Sequence, residues 1–485
     1  MNFPTAGAVG PQEPAAPTGC PVDHAAGAAS PAERTTIHAT ELPGSKLPAV
    51  IQLLNYWMRP QSFVEKRRKR YGARFQVSIR IPARPVYMLT DPGDVKTMFQ
   101  APGDVLHTGT GSATIEKWTG TSGLAWLDEE DHARRRKLLM PSYHGAALRR
   151  ITEVIPQMAK EDVASWPRGE VMPLHPHILR FTLHVIREVI YGSRTPKRWE
   201  ELLDLLQRMM DFNNSIASPM AIHKMPPKAV EKVKSIKRLG LEQFLEHREQ
   251  ANAMIYETIE EHRESGYRGD DLLSVLLGIT DEDGSPLSPQ EIRDEMMTIF
   301  LAGTETTAAA IAWAFEYLSR SDEVRARLLA EIEAGESEAY LTATINEVLR
   351  LRPSIPNIIV RAVMKPIEIG GVRYDPGMDL WASSYLVNRD PKVYSDADAF
   401  RPERFLDSKP GTYTWIPFGG GRIRCLGDKI ALVEMKSMIH EVLTQCELRR
   451  PDSKPERAKS RIVVNVPSKF TRVELRDRAR QATMA

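Results

Sequence analysis

The feature that most restricts the fold is the run of residues 289–318, which contains one internal glycine and no proline after its first position. Ser288 and Glu291 form a Ser-x-x-Glu capping box with a proline directly after the serine, so a helix is predicted to begin here. The stretch 296–318 is apolar and long enough to cross a bilayer. Glu305 near its middle would make insertion costly. The run therefore predicts a buried central helix of a large soluble protein.

Composition narrows the functional classes. The 485 residues are 42% hydrophobic and carry a formal net charge of +2. These values are typical of a globular protein and exclude a disordered chain. They give no support to a nucleic-acid-binding protein, whose domain is usually strongly basic. The three cysteines are too few and too scattered for a disulfide framework.

The chain is predicted to divide into a flexible lead-in, residues 1–46, and one large domain, residues 47–485. The lead-in is rich in Ala, Pro and Gly and has no apolar run that would serve as a signal peptide or anchor. Helical patterns dominate the rest, so the expected fold class is mainly α with a small β subdomain (α+β). Helices are predicted over 47–71, 129–277 and 288–319, with more helices from there to Pro353 and a last one after Cys425. Strands are predicted at 74–81, 85–89 and 367–386, and a β-hairpin at 461–475.

The sharpest local motif is the segment 417–427, Pro-Phe-Gly-Gly-Gly-Arg-Ile-Arg-Cys-Leu-Gly. Consecutive glycines permit backbone conformations closed to other residues and a close approach of the chain to a flat group. Cys425 precedes a predicted helix, whose dipole and free backbone N–H groups would stabilise a thiolate. The same letters also suit a glycine-rich turn with an incidental buried cysteine. No second group of metal ligands accompanies the motif, which argues against a zinc site.

A carboxylate and two arginines form a second candidate group. Glu347 and Arg350 lie three residues apart, on one face of a predicted helix, and can pair. Arg404 follows in a stretch rich in proline and aromatic residues. Glu347 and Arg350 alone would suit a solvated surface pair. With Arg404, the carboxylate could be held between two guanidinium groups and fix a loop beside a cofactor pocket.

The central helix carries a third group. Ala302 and Thr306 are one turn apart on one face, and Glu305 is adjacent to Thr306. A buried acid and hydroxyl are costly unless paired, and the threonine can bond to the carbonyl four residues earlier. Gly303 leaves room for a group that presses against the helix. A helix-packing notch would explain the same residues.

A fourth group combines a histidine with basic residues. His132 and Arg136 are four residues apart, so on a helix they share a face and could bind an anion together. The neighbouring Arg134, Arg135 and Lys137 are predicted to form a solvated basic surface.

In this order and spacing, the four groups together resemble the haem-thiolate monooxygenases of the cytochrome P-450 superfamily. The likeness extends from about Leu47 over nearly the whole chain. It implies the cytochrome P-450 fold, a single large domain around a buried haem. It also implies the soluble, cytoplasmic bacterial type.

The resemblance assigns roles to residues. Cys425 is then the axial thiolate ligand of the haem iron, and Glu305 and Thr306 are the catalytic acid–alcohol pair that moves protons to bound dioxygen. Ile423 stands where the family usually has Arg or His, so whether Arg422 or Arg424 contacts a haem propionate stays open. Glu347, Arg350 and Arg404 are the structural triad that supports the haem-binding loop. The expected haem-binding residues are His132, Arg136, Ala302, Arg361, Phe418, Arg422, Arg424, Cys425 and Gly427.

The activity implied by the resemblance is insertion of one oxygen atom of O2 into a lipophilic small molecule of the terpenoid, steroid or fatty-acyl type. The cofactor is haem b (iron protoporphyrin IX), and NAD(P)H-derived electrons come from a separate ferredoxin or flavodoxin with its reductase. No nucleic acid and no membrane anchor are expected, and the chain is expected to be a monomer. Two alternatives are a peroxide-driven or non-oxygenating haem-thiolate enzyme and a haem-based sensor or binding protein. The expected pocket walls are 108–121, 212–221, 300–306, 356–359 and 467–470.

Overall fold

The computed structural model describes residues 36–79, 84–109, 116–212, 240–280, 284–461 and 463–478. From Ile37 onward these residues form one compact unit built mainly of helices. The helices are α1 (Ala49–Met58), α2 (Pro60–Tyr71), α3 (Pro92–Gln100), α4 (Glu116–Thr119), α5 (Glu129–Leu139), α6 (Gly145–Ser165), α7 (His175–Tyr191), α8 (Trp199–Phe212), α9 (Leu241–Ser265), α10 (Leu272–Gly278), α11 (Pro289–Leu318), α12 (Asp322–Ala334), α13 (Ala339–Leu351), α14 (Ser384–Val387) and α15 (Asp428–Gln445).

The strands form small sheets beside the helices. They are β1 (Ile37–His38), β2 (Arg74–Val77), β3 (Val86–Leu89), β4 (Leu106–His107), β5 (Val171–Pro173), β6 (Arg361–Val363), β7 (Ile367–Ile369), β8 (Val372–Tyr374), β9 (Asp379–Ala382), β10 (Cys446–Arg449), β11 (Ala458–Arg461), β12 (Val464–Pro467) and β13 (Arg472–Asp477). A five-stranded sheet has the order β2-β3-β9-β6-β4, and two three-stranded sheets have the orders β1-β8-β7 and β10-β13-β5. The expected class, mainly α with a small β part, is confirmed.

The central helix α11 begins as the capping box predicts. The Ser288 hydroxyl accepts a hydrogen bond from the Glu291 N–H (3.2 Å), and the Glu291 carboxylate accepts one from the Ser288 N–H (2.9 Å). The helix packs against α7, α9 and α15. Within the described residues it is the one helix long and apolar enough to cross a membrane, and most of its apolar stretch is buried inside the protein. The prediction of a buried central helix is confirmed.

Two predicted elements differ in the structure. The helix expected over 47–71 is divided at Arg59 into α1 and α2, because Pro60 disfavours helical backbone in the residue before it. The hairpin expected over 461–475 is wrong in its second strand. β11 pairs with β12, whereas β13 pairs with β10 and β5. Phe470 and Thr471, with φ of 63° and 56°, turn the chain away between β12 and β13.

Two adjacent acids of α11 hold the loop that precedes α5. The Asp294 carboxylate accepts hydrogen bonds from the Thr121 and Ser122 N–H groups, both at 3.0 Å. Glu295 accepts one from the Leu124 N–H at 2.9 Å. Gly120 has a φ of +72°, and a Cβ there would lie 2.3 Å from the Asp294 carboxylate. This close approach therefore requires glycine.

Glu295 is buried beside Arg135 of α5 at 3.7 Å. Arg135 is also paired with Glu291 at 3.3 Å, so the expectation that it belongs to a solvated surface is wrong. Burial raises the pKa of Glu295 to about 7, although the Leu124 N–H and Arg135 act in the opposite direction and Asp294 adds to the rise. Tyr143 also faces this carboxylate, and its pKa is raised mainly by its own burial.

Glu295 should make the protein lose stability as the pH rises. Because its pKa is raised on folding, the folded state binds the proton more tightly, and this stabilisation is lost between the unfolded value near 4.5 and the folded value near 7. Glu295→Gln, which still accepts the Leu124 bond, should remove this loss, a difference on the order of 3 kcal/mol. Urea unfolding at pH 5 and pH 8 would measure it. The exposed Glu130→Gln is the control, and equal pH dependence in wild type and Glu295→Gln would contradict the expectation.

Candidate active site

The loop that carries Cys425 is a tight turn packed onto α3. The Cys425 N–H donates to the Phe418 carbonyl at 3.1 Å, and the half-buried Phe418 ring packs edge-on against Trp415. A Cβ at Gly420 would lie 2.4 Å from the Phe99 ring, and one at Gly421, where φ is +65°, would lie 2.3 Å from the Phe99 carbonyl oxygen. These two glycines therefore serve the contact with α3.

The Cys425 thiol lies where a ligand can reach it. The residue is exposed, yet surrounding protein raises its pKa by desolvation, while the Gly427 N–H lowers it. Gly427 is the N-cap of α15, so this N–H belongs to the helix start that the sequence analysis associated with a thiolate. Arg136 and Arg424 also lower the pKa. Because the net shift is upward, the free thiol keeps its proton, and a metal ion would have to displace it.

A group of basic side chains, His132 and several arginines, lies beside this loop. Burial, followed by Arg136 and Arg422, lowers the pKa of His132 to about 4. Burial and then Arg422 lower the pKa of Arg361 to about 9. Asp128 acts in the opposite direction on both groups, but its carboxylate also accepts the Thr108 and Gly109 N–H groups. His132 is therefore neutral near pH 7 and can donate a hydrogen bond, whereas Arg361 and Arg422 repel one another and supply positive charge for an anion.

The cations are brought together by the sheet and by α5. The pairing of β4 with β6 sets His107 opposite Ala362, and Arg361 donates a short hydrogen bond to the Thr108 hydroxyl. Among the described residues, Arg361 has no ion-pair partner. An open cleft of about 320 Å³ separates α5 from the loop and is lined by Glu129, His132, Ala133, Arg136, Lys137, Met140 and Arg422.

The arginines on either side of Ile423 differ. Arg422 turns inward and donates to the Leu106 carbonyl at 2.5 Å, next to Arg361 and His132. Arg424 pairs with Asp428, the first residue of α15, at 2.8 Å, and the Arg424 carbonyl accepts a hydrogen bond from Arg136 at 2.6 Å. Arg422 therefore belongs to the cation group, and Arg424 carries its own counterion.

The Glu347 carboxylate joins two segments of the chain. Arg350 donates to both of its oxygens, at 2.7 and 2.8 Å, and Arg404 donates to one at 3.0 Å. Glu347 and Arg350 are fully buried. Arg350 also donates to the Ala397 and Ala399 carbonyls. The three residues that the sequence analysis grouped therefore meet, and they hold the segment before the Cys425 loop against α13.

One face of α11 is open in the middle of the buried helix. Ala302 is exposed and Thr306 is half-buried, whereas Thr304 and Glu305 between them are buried. The Thr306 hydroxyl donates to the Ala302 carbonyl at 2.6 Å. Gly303 faces α7, because a Cβ there would lie 2.2 Å from Ile186. Its small size therefore serves packing between the two helices.

The Glu305 carboxylate is engaged by two basic side chains that the sequence analysis missed. Arg461 of β11 lies 3.0 Å from it, and His175 at the start of α7 lies 3.4 Å from it. Burial would raise the pKa of Glu305, but Arg461 and His175 together bring it below its ordinary value, so the group is ionised. Only the course of the chain brings residues 175 and 461 to residue 305, and no local signal indicates it.

The residues present fit a haem with a thiolate ligand. An accessible cysteine lies at a helix N-terminus, and the basic side chains beside it have too few acidic partners to balance their charge. The central helix has an open face at Ala302 and Thr306. Haem presents an iron that takes a thiolate and two carboxylates that take cations. Of the expected pocket walls, residues 110–115 and 213–221 lie outside the described residues.

Comparison with known sequences and structures identifies the family. The sequence pattern of the family described as "Cytochrome P450" matches residues 42–473. Cytochrome P450 137 of Mycobacterium tuberculosis is 34% identical over 414 residues, which cover 84% of each chain. Cytochrome P450 135B1 of Mycobacterium bovis is 29% identical over 446 residues, 90% of this chain and 91% of that one.

Solved structures show the same fold. The retinoic acid-bound cyanobacterial CYP120A1 superposes with a TM-score of 0.76 at 21% identity, over 90% of this chain and 99% of that one. The cytochrome P450DA haem domain gives a TM-score of 0.76 at 23% identity, over 90% and 98%. Family membership implies haem, O2 and electrons from a redox partner. The chain belongs to the cytochrome P450 family and is a haem-thiolate monooxygenase.

Proposed function

We propose that this protein uses haem b, with Cys425 as axial ligand, to insert one oxygen atom of O2 into a lipophilic small molecule of the terpenoid, steroid or fatty-acyl type. The observation that carries the proposal is the accessible Cys425 thiol at the start of α15, beside cations without matching acids. The thiolate would bind the haem iron, and the glycine-rich loop would lie against the same face of the haem, with Phe418 and Gly427 beside the sulfur.

The cations would bind the two haem propionates. Arg361 and Arg422 support this role because their charges repel one another and lack enough acidic partners within the described residues, and the neutral His132 beside them would donate a hydrogen bond. Arg136 donates to the loop carbonyl of Arg424, so it would contribute positive charge and also hold the loop. Arg422 is the better candidate of the two loop arginines, because Arg424 is paired with Asp428.

The bound haem supplies the activation of O2 and the oxidation of the substrate. Thr306 is on the open face of α11, so its hydroxyl would hold and pass on a proton there. Glu305 is ionised and paired with Arg461 and His175, so it would take part as an acceptor that exchanges protons when this pairing loosens. Ala302 leaves space for the haem and the substrate.

Electrons would arrive from a ferredoxin or flavodoxin with its reductase. Lys137 and Lys429 are exposed near the Cys425 loop, and Arg424 is exposed with Asp428 at its side. Such a basic surface suits an acidic electron carrier. Arg135 is buried and takes no part in it.

Replacement of Cys425 tests the ligand directly. The reduced, CO-bound wild type should show the strongly red-shifted band of a thiolate-bound haem, and Cys425→Ser should lose it, because a hydroxyl does not supply the same electron density. Cys446→Ser is the matched control, since Cys446 is buried in β10. The band should survive in this control. A wild type without the band would overturn the proposal.

Replacement of Thr306 tests the proton step. Thr306→Ala should lower product formation by about 100-fold, a usual contribution of a positioned proton-transfer group, while O2 consumption continues. Thr306→Ser should restore most product formation because it keeps the hydroxyl. Thr304→Ala is the control, because Thr304 is buried and donates to Phe300 in the same helix. Product and O2 would be measured in parallel, and unchanged product formation in Thr306→Ala would contradict the role.

The two loop arginines should differ in haem retention. Arg422→Ala should increase haem loss to an acceptor apoprotein by about 10-fold or more, because a hydrogen bond to a charged group contributes about 1.5–3 kcal/mol. Arg424→Ala should change it little, because exposed pairs four residues apart contribute only about 0.3–0.5 kcal/mol. Thermal unfolding would verify that both variants fold. Equal haem loss in the two variants would reject the assignment of Arg422.

A further inference from the structure

Helix α1 exposes apolar side chains of the kind that an ordinary surface helix buries. Its buried positions are the polar residues Gln52 and Tyr56. The Gln52 amide donates to the Leu47 carbonyl at 2.8 Å and accepts from the Ser78 N–H at 3.3 Å. The Tyr56 hydroxyl accepts from Asn357 at 3.0 Å. The orientation of α1 is therefore fixed by these hydrogen bonds together with the packing of the Tyr56 ring against Phe63 and Trp381.

The outer side of α1 is an exposed apolar stripe. At 3.6 residues per turn, its four helical members fall within an arc of about 100°. Leu47 precedes the helix and is 49% exposed. The helical members are Val50, Ile51, Leu54 and Met58, with exposures of 55, 44, 46 and 62%.

More than half of the strongly exposed large apolar residues that the structure describes belong to this stripe. Among the described residues, the other large apolar residues with high exposure are Ile37, Val171, Met364 and Val393, which are scattered elsewhere along the chain. Single exposed apolar residues need no explanation, whereas a contiguous group marks an interaction surface.

The segment that carries the stripe is basic. Residues 46–64 contain no acid, and residues 46–70 contain seven basic residues and one acid, although the whole chain has a net charge of only +2. Lys46 and Arg59 lie at the two ends of the stripe, and α2 ends with a basic run. Five of these cations are exposed and have no ion-pair partner among the described residues: Lys46, Arg59, Lys66, Lys69 and Arg70.

We propose that α1 docks this protein onto the surface of an anionic phospholipid bilayer. An apolar stripe of aliphatic side chains with cations at both ends matches acyl chains beneath negative headgroups. A second copy of the chain fits less well, because the stripe has five residues and a stable interface engages about 20–30 residues on each partner. The like charge of Lys46 and Arg59 on two copies would also oppose pairing. The helix would lie in the plane of the headgroups and would not cross the bilayer.

Vesicle co-sedimentation of the full-length, haem-loaded protein tests this docking. Wild type should sediment with vesicles of phosphatidylglycerol and phosphatidylcholine and stay in solution with phosphatidylcholine alone. Salt at about 0.5 M should weaken the binding because it screens the charges. Leu54→Asp combined with Met58→Asp should reduce the bound fraction at least about 10-fold, and Lys46→Gln combined with Arg59→Gln should reduce it in anionic vesicles.

Matched controls distinguish binding through the stripe from nonspecific hydrophobic adsorption to the vesicles. Met364→Asp and Val393→Asp replace exposed apolar residues outside α1 and should bind as wild type does. All variants should keep the helical circular dichroism of wild type, since the replaced side chains are exposed. Wild type that fails to bind anionic vesicles, or a Leu54→Asp/Met58→Asp variant that binds as tightly as wild type, would overturn the proposal. A dimer in solution that this variant abolishes, without vesicle binding, would assign the stripe to a second copy.

Discussion

The buried carboxylate of Glu347 is the constraint on which the position of the Cys425 loop depends. A carboxylate without exposure is costly unless its oxygens are occupied, and here Arg350, Arg404 and the Arg401 N–H occupy them. The loss of either arginine would leave a buried charge only partly compensated. The distance between α13 and the segment 395–405 is therefore fixed, and this segment leads into the loop of Cys425.

Further hydrogen bonds carry this constraint to the cysteine. The Trp415 indole N–H donates to the Asn346 carbonyl at 3.0 Å, next to Glu347 in α13. The Ile416 N–H donates to the Asn388 side chain at 3.0 Å. The close approach of Gly420 and Gly421 to Phe99 then fixes the turn itself. The position of the thiol thus follows from a charge buried well before it in the chain.

The need to compensate buried charge also explains why two sets of buried charged residues, near Glu305 and near the Cys425 loop, differ. Glu305 has Arg461 and His175 as partners, so its negative charge is compensated within the protein. Arg361 and Arg422 repel one another, and Asp128 offsets the charge of Arg361 only in part. A protein tolerates unbalanced buried charge where a ligand of opposite charge belongs. At the surface, the apolar stripe of α1 and the cations at its ends likewise lack partners among the described residues, and the proposed partner is an anionic bilayer.

The sequence by itself determined the central helix, its start at Ser288, the mainly α class and the grouping of Glu347 with Arg350 and Arg404. These features depend on local capping, periodicity and spacing, which are properties of neighbouring residues. Only the tertiary structure decided that Arg461 and His175 meet Glu305, that Arg135 is buried, that Arg422 and not Arg424 turns inward, and that β13 leaves the hairpin. Each of these depends on contacts between residues far apart in the chain, because burial and charge pairing are set by packing, which no local pattern encodes.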